Sequence, residues 1–138
     1  MSGLRHAQSF RDLIVYQKSR DLQRDIFKLT NTFPKEETYS LTNQIRRSSR
    51  SIGANITEAW AKRRYEKHFI SKLTESDGEQ METQHWIETA LECDYIDQKA
   101  STHLIEKCAE MFCGEPPRTL REDSAVYFTQ SDNIDTDN

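Results

Sequence analysis

A chain of 138 residues with a formal net charge of −4 and 35% hydrophobic residues has room for one domain with thin apolar stripes, not two. No stretch approaches the roughly 18–20 consecutive apolar residues of a membrane span, and Met1–Phe10 lacks the apolar centre of a signal peptide. Three cysteines, Cys93, Cys108 and Cys113, are odd in number and irregular in spacing, which argues against a disulfide framework and for a reducing cytoplasm.

Glycine and proline are scarce and strand-like runs scarcer, so the chain reads as all-α. The first helix is expected from Asp12, as N-cap, to Phe33, with Leu22, Ile26, Leu29 and Phe33 on one face and Pro34 as the stop. A short polar connection leads to a second helix from Tyr39. Its stripe is Leu41, Ile45, Ser48, Ile52, Ile56 and Ala59, with Gly53 marking a kink or a close helix–helix approach. A third helix from about Glu66 to Tyr95 presents Phe69, Leu73, Gln80, Gln84, Ile87 and Leu91 inward. The fourth, Asp97 to Phe112, offers Ala100, Leu104, Cys108 and Met111, and Gly114 closes it. Short connections favour an antiparallel up-down four-helix bundle over residues 1–114. Residues 115–138 hold six acids against two arginines and are expected to be a disordered tail, with Ala125–Phe128 its only apolar patch.

The charge is segregated along this pattern. From Arg46 to Lys72 there are eight basic residues against two acids, whereas Leu73–Asp97 has eight acids and no Lys or Arg. If the second helix runs on unbroken, Arg46, Arg50 and Arg64 align in one sector opposite the apolar stripe, and Arg47 extends it. Arg63-Arg64-Tyr65 and Lys67-His68 set cations beside an aromatic ring, a combination suited to nucleic acid. The candidate nucleic-acid-binding residues are therefore Arg46, Arg47, Arg50, Lys62, Arg63, Arg64 and Lys67. The competing expectation is a solvated face, or arginines paired with Glu75, Glu79 or Glu82 of the same or another subunit. On the seam, Asn55 and Asp77 are expected to share a buried, register-setting polar layer. Trp86 points away from the inward stripe and is expected to be covered by a neighbouring subunit.

Chemistry-bearing motifs are few. Glu82-x-x-His85 has the form used in di-iron bundles, but no second copy exists. Glu79, Glu82, Asp94 and Asp97 resemble the paired acids of all-α nucleotide pyrophosphatases. They form the alternative reading, a magnesium-dependent nucleotide hydrolase. No nucleophile–base pair, phosphate loop or zinc spacing occurs, so no catalytic residue, metal site or cofactor is assigned.

The run Phe10-Arg11-Asp12-Leu13-Ile14-Val15-Tyr16-Gln17-Lys18 resembles the opening of a bacterial four-helix-bundle family, the 23S rRNA intervening-sequence proteins. The resemblance continues through Leu29-Thr30, Phe33-Pro34 and Tyr39-Ser40-Leu41-Thr42-Asn43-Gln44-Ile45-Arg46-Arg47-Ser48, then Ser51-Ile52, Asn55-Ile56, Glu58, Met81-Glu82-Thr83-Gln84 and Tyr95-Ile96. It implies an up-down bundle assembling as a ring-like homopentamer. The family is also similar to accessory proteins of diversity-generating retroelements, whose basic surface engages reverse transcriptase and nucleic acid, RNA or DNA. The sequence departs from the family where Gly53 stands in place of a frequent proline and Ala59-Trp60 replaces the usual glycine after Glu58. The expectation is a non-catalytic, homo-oligomeric interaction module that binds RNA.

Overall fold

The computed structural model describes residues 7–112. Cys113, the expected stop at Gly114, and the tail 115–138 with its Ala125–Phe128 patch lie outside the described residues. The chain forms an all-α, antiparallel up-down bundle of helices α1 (Ile14–Thr30), α2 (Asn43–Ala61), α3 (Glu66–Glu92) and α4 (Gln98–Ala109). α2 and α3 share the largest interface and α1 and α4 the smallest of the sequential ring.

Asp12 does not cap α1. It closes a 3-10 turn, Phe10–Asp12, by accepting the backbone N–H groups of Gln8 and Ser9, while Ser9 Oγ accepts that of Arg11. α1 starts after Leu13, whose backbone is extended and whose side chain is buried, so an apolar anchor sets the entry angle. α1 also ends at Thr30 rather than Phe33, because the residue before a proline is pushed out of helical geometry. Phe33 is buried all the same, packed with its ring centroid 5.7 Å from that of Tyr95.

A 3-10 turn (Lys35–Glu37) and a wider π-type turn (Thr38–Thr42) lead into α2. Glu37 accepts hydrogen bonds from Ser40 Oγ and from Tyr95 Oη at 2.8 Å, joining this connection to the α3–α4 junction. The carboxylate in turn pushes the Tyr95 phenol up to about 12. The whole expected α2 stripe, Leu41 through Ala59, is buried. Each fully buried isoleucine in it contributes about 1.5–3 kcal/mol over its exposed state. Gly53 marks a close approach: a Cβ there would stand 3.0 Å from Ser19 Oγ on α1, which is itself held by a 2.6 Å bond to the Tyr16 carbonyl.

The inward face of α3 is Phe69, Leu73, Ser76, Gln80, Thr83, Ile87 and Ala90, a strict alternation of four- and three-residue steps. Gln84 and Leu91 sit half-exposed at its flank. The expected Asn55–Asp77 layer is not formed. Asn55 donates to the Ser51 carbonyl of its own helix, and Asp77 accepts from Gln80. The reason is helix face rather than height: the seam is made by buried Ser76 against Ile52 and Thr83 against Ser48, and Asn55 and Asp77 are only half-buried beside it. The buried polar layer is made of hydroxyls instead. Thr83 Oγ1 lies 2.8 Å from Ser48 Oγ, and Ser76 Oγ donates to the Ile52 carbonyl at 2.9 Å.

α3 ends in a Schellman arrangement without glycine. Asp94 takes the left-handed conformation (φ 60°), Tyr95 N–H bonds to the Ala90 carbonyl and Asp94 N–H to that of Leu91. Asp97 then caps α4, accepting the Ala100 N–H at 2.8 Å. The thin α1–α4 seam is closed by Lys107, which bridges Asp21 and Asp25.

If the hydroxyl layer sets the α2–α3 register, Thr83→Val should cost about 1 kcal/mol by removing the hydroxyl bond across the seam, with Ser48 left to the Ile45 carbonyl at 3.3 Å. Asn55→Ala should stay within about 0.5 kcal/mol of the parent. Denaturant midpoints of the two variants measure the contrast, and equal midpoints would refute it.

Candidate nucleic-acid interface

The seven basic candidates divide by what holds them. Arg46 is tied to the end of α1: its Nε donates to Thr30 Oγ1 at 2.7 Å and an Nη to Asn31 Oδ1 at 3.0 Å, with the guanidinium 4.8 Å from the Phe27 ring centre. It staples two helices where α1 presents its negative end. Arg47 reaches across to α3, with Nη2 2.7 Å from Glu82 and Nη1 3.9 Å from Glu79. Pairing of Arg47 with the acids of α3 thus occurs within one chain. Arg63 lies 4.0 Å over the Trp60 ring and donates to the Trp60 carbonyl. Lys72, in the same basic run, bridges Glu58 and Glu75, and its hydrogen bond and charge hold the Glu58 carboxyl below the ordinary range.

The side chains of Arg50, Lys62, Arg64 and Lys67 are exposed and make no hydrogen bond or close ion pair among the described residues, although the charge of Lys62 is felt by Glu58. They do not form the single stripe expected from a continuous helix. α2 stops at Ala61, so Arg64 belongs to the turn and cannot be projected onto the Arg46/Arg50 sector. Arg50 borders a shallow recess lined by Asn43, Arg46, Arg47, Ser51 and Ala54. Lys62 lies twelve residues further on, about 18 Å along the axis at helical rise. Three of these four cations sit at the tip of the α2–α3 hairpin, while Arg20, Arg24 and Lys28 on α1, with Lys35 and Lys99, are exposed cations elsewhere on the surface.

That tip is held firmly. Lys62 N–H bonds back to the Glu58 and Ala59 carbonyls, Tyr65 N–H to that of Lys62, and Phe69 N–H to that of Tyr65. Tyr65 precedes α3 in an extended conformation and gives it no side-chain cap, so the positive end of a long helix faces the same cluster. The Tyr65 ring is 67% exposed and meets His68 edge-on with centroids 5.9 Å apart.

Trp86 is not an exposed aromatic. It is half-buried against the core and donates to Glu82 at 3.2 Å, on the carboxylate oxygen that Arg47 also contacts. The carboxylates of the alternative reading are dispersed in role: Asp94 is a helix stop, Asp97 a helix cap, and Glu79 and Glu82 face Arg47. Among the described residues no group of three or more His, Cys, Asp or Glu side chains could hold a metal ion. The cover of Trp60 by Arg63 escaped the sequence reading, although their i, i+3 spacing on one helix turn is the sign of it.

Comparison with known proteins follows this geometry. The profile described as 23S rRNA-intervening sequence protein matches residues 11–112, nearly the whole described chain. The chain belongs to the 23S rRNA-intervening sequence protein family. It is similar to a crystal structure from Bacteroides thetaiotaomicron, that of a protein with unknown function from the S23 ribosomal protein family. The two are 30% identical with a TM-score of 0.64, over 71% of this chain and 91% of that one. No curated protein matches the chain. No helix among the described residues is long and apolar enough to cross a membrane.

In this 23S rRNA-intervening sequence protein, Glu79 supplies a test of how the arginines are held. Burial pushes its carboxyl above the ordinary range, the Glu82 charge adds to that, and Arg47 opposes it. One carboxylate oxygen is buried with no hydrogen-bond partner. The native state thus binds a proton at Glu79 more readily than the unfolded chain, whose value is 4.5, and stability falls as pH rises above that value. Glu79→Gln should be more stable than the parent at neutral pH, and the gap should close as pH drops below the unfolded value. Denaturation at a series of pH values measures it. A variant weaker than the parent at neutral pH would show that attraction to Arg47 outweighs desolvation.

Proposed function

We propose that this protein is a non-catalytic, homo-oligomeric module of the cytoplasm that binds RNA through the cations left unpaired by the fold. One observation supports the reading above the others: among the described residues the side chains of Lys62, Arg64 and Lys67 make no hydrogen bond or close ion pair near the exposed Tyr65, while Arg63 is committed to Trp60. In a chain of net charge −4, three cations gathered around one exposed ring present a local attraction for phosphate.

Assembly, taken by family likeness to be a pentameric ring, would repeat this weak site and raise its avidity. Exposed Tyr39 (85%), Met81 (57%) and Phe27 (46%) are apolar surface that a second copy would cover. DNA, or a reverse transcriptase, is a partner only by the retroelement likeness. The free thiols of exposed Cys93 and buried Cys108 suit a reducing compartment.

Generic RNA should bind the parent at low salt and weaken steeply as salt rises. Reversal of Arg64 and Lys67 to Glu should lower affinity across sequences and flatten the log–log salt slope by roughly 0.7 per cation. Helix content and elution on a sizing column should stay unchanged. Absence of low-salt binding by the parent would remove the RNA reading, and a monomer at tens of micromolar, where mass action favours association, would remove the oligomeric one.

A further inference from the structure

The hairpin tip has a geometry that narrows the kind of RNA it suits. Between the end of α2 at Ala61 and the start of α3 at Glu66 the chain makes one tight turn, so the tip is convex and narrow. Its aromatic side chains are used differently. Trp60 is half-buried and its ring is covered by Arg63, whereas Tyr65 is left largely open with only the edge contact to His68. The backbone bonds through Lys62, Tyr65 and Phe69 fix where the Tyr65 side chain leaves the chain, so little ordering is needed on binding.

We infer that Tyr65 at the hairpin tip is a stacking platform for an unpaired base of single-stranded RNA, with Lys62, Arg64 and Lys67 taking the flanking phosphates. The inference rests on the RNA-binding reading and deepens it. A base has an open face only when unpaired and unstacked, and inside an A-form duplex each base face is stacked on its neighbours, leaving only base edges in the grooves. An aromatic ring beside cations is the arrangement that binds single strands with little sequence preference, because every base offers a π-face. A protein partner would also favour exposed Tyr and Arg. However, four cations against one carboxylate between Lys62 and His68 match a phosphodiester chain better than a mixed protein surface. The acidic α3 of a second copy is a protein surface of opposite charge, and the test includes it.

The experiment is anisotropy titration of the full chain with a short labelled oligoadenylate, an abasic strand of the same length and a duplex of the same length, beside a sizing column. The parent should prefer the oligoadenylate to both others. Tyr65→Ala should weaken oligoadenylate binding about fivefold or more, the factor expected from loss of one stacked base. It should leave abasic and duplex binding unchanged, and Tyr65→Trp should restore the preference. Because Tyr65 is exposed, the variants should match the parent in circular dichroism and elution volume. Equal binding of Tyr65→Ala and the parent to oligoadenylate, or equal parent affinity for the duplex, overturns the stacking role and leaves the RNA reading standing. No binding of any strand by the parent overturns both. Loss of the oligomer in Tyr65→Ala assigns the tip to a subunit contact and overturns the inference.

Discussion

The packing of α2 on α3 is the constraint from which the rest of the molecule follows. Ile45, Ile52 and Ile56 are fully buried against Leu73 and Ile87, and apolar packing of this kind has no inherent register, since one isoleucine fits most apolar holes about as well as another. The register comes from hydroxyls. Ser48 with Thr83, and Ser76 with the Ile52 carbonyl, meet across the seam only at one relative height of the two helices, although Ser48 and Thr83 also reach carbonyls of their own helices. Once that height is fixed, Lys72 falls between Glu58 and Glu75, Arg47 reaches Glu82, and the turn must close between Ala61 and Glu66. The place of the cationic tip is thus a consequence of a hydroxyl layer deep in the core.

The opposite charges of α2 and α3 then have a structural use and a remainder. Exposed ion pairs contribute little each, so Arg47–Glu82 and the Lys72 bridge are better understood as consequences of register than as its cause. The pairs that do form remove Arg46, Arg47, Arg63 and Lys72 from competition for an external anion. What is left is Arg50 on the α2 face and Lys62, Arg64 and Lys67 around Tyr65, a cluster whose position is dictated by where α2 stops.

Much of this was legible in the sequence, and the failures have physical causes. The α2 stripe from Leu41 to Ala59 was read without error because its apolar residues repeat at helical spacing with nothing to compete. On α3 the same method chose Leu91 over Ala90 for its apolar bulk and Gln84 over Thr83 by a four-residue step from Gln80, whereas the tight interface takes the small side chain and the hydroxyl. The Asn55–Asp77 pairing failed because height alone was counted: both side chains lie at the flank of the seam and bond within their own helices. Asp94 and Asp97 looked like a metal-binding pair because an aspartate in the left-handed stop position is much rarer than a glycine there. The basic run was plainly visible, but which of its members stay free depends on partners 16 and 35 residues away in sequence and could not be read from spacing.

The central claim is that the free cations and Tyr65 at the α2–α3 tip form the surface that meets RNA. Backbone hydrogen exchange of the full chain, with and without a short single-stranded RNA, tests it most directly, since it reports where contact is made whatever the size of the assembly. The account predicts added protection in residues 62–68, with the α1–α4 seam unchanged. Protection along α1 and α4 with none at the tip would contradict it.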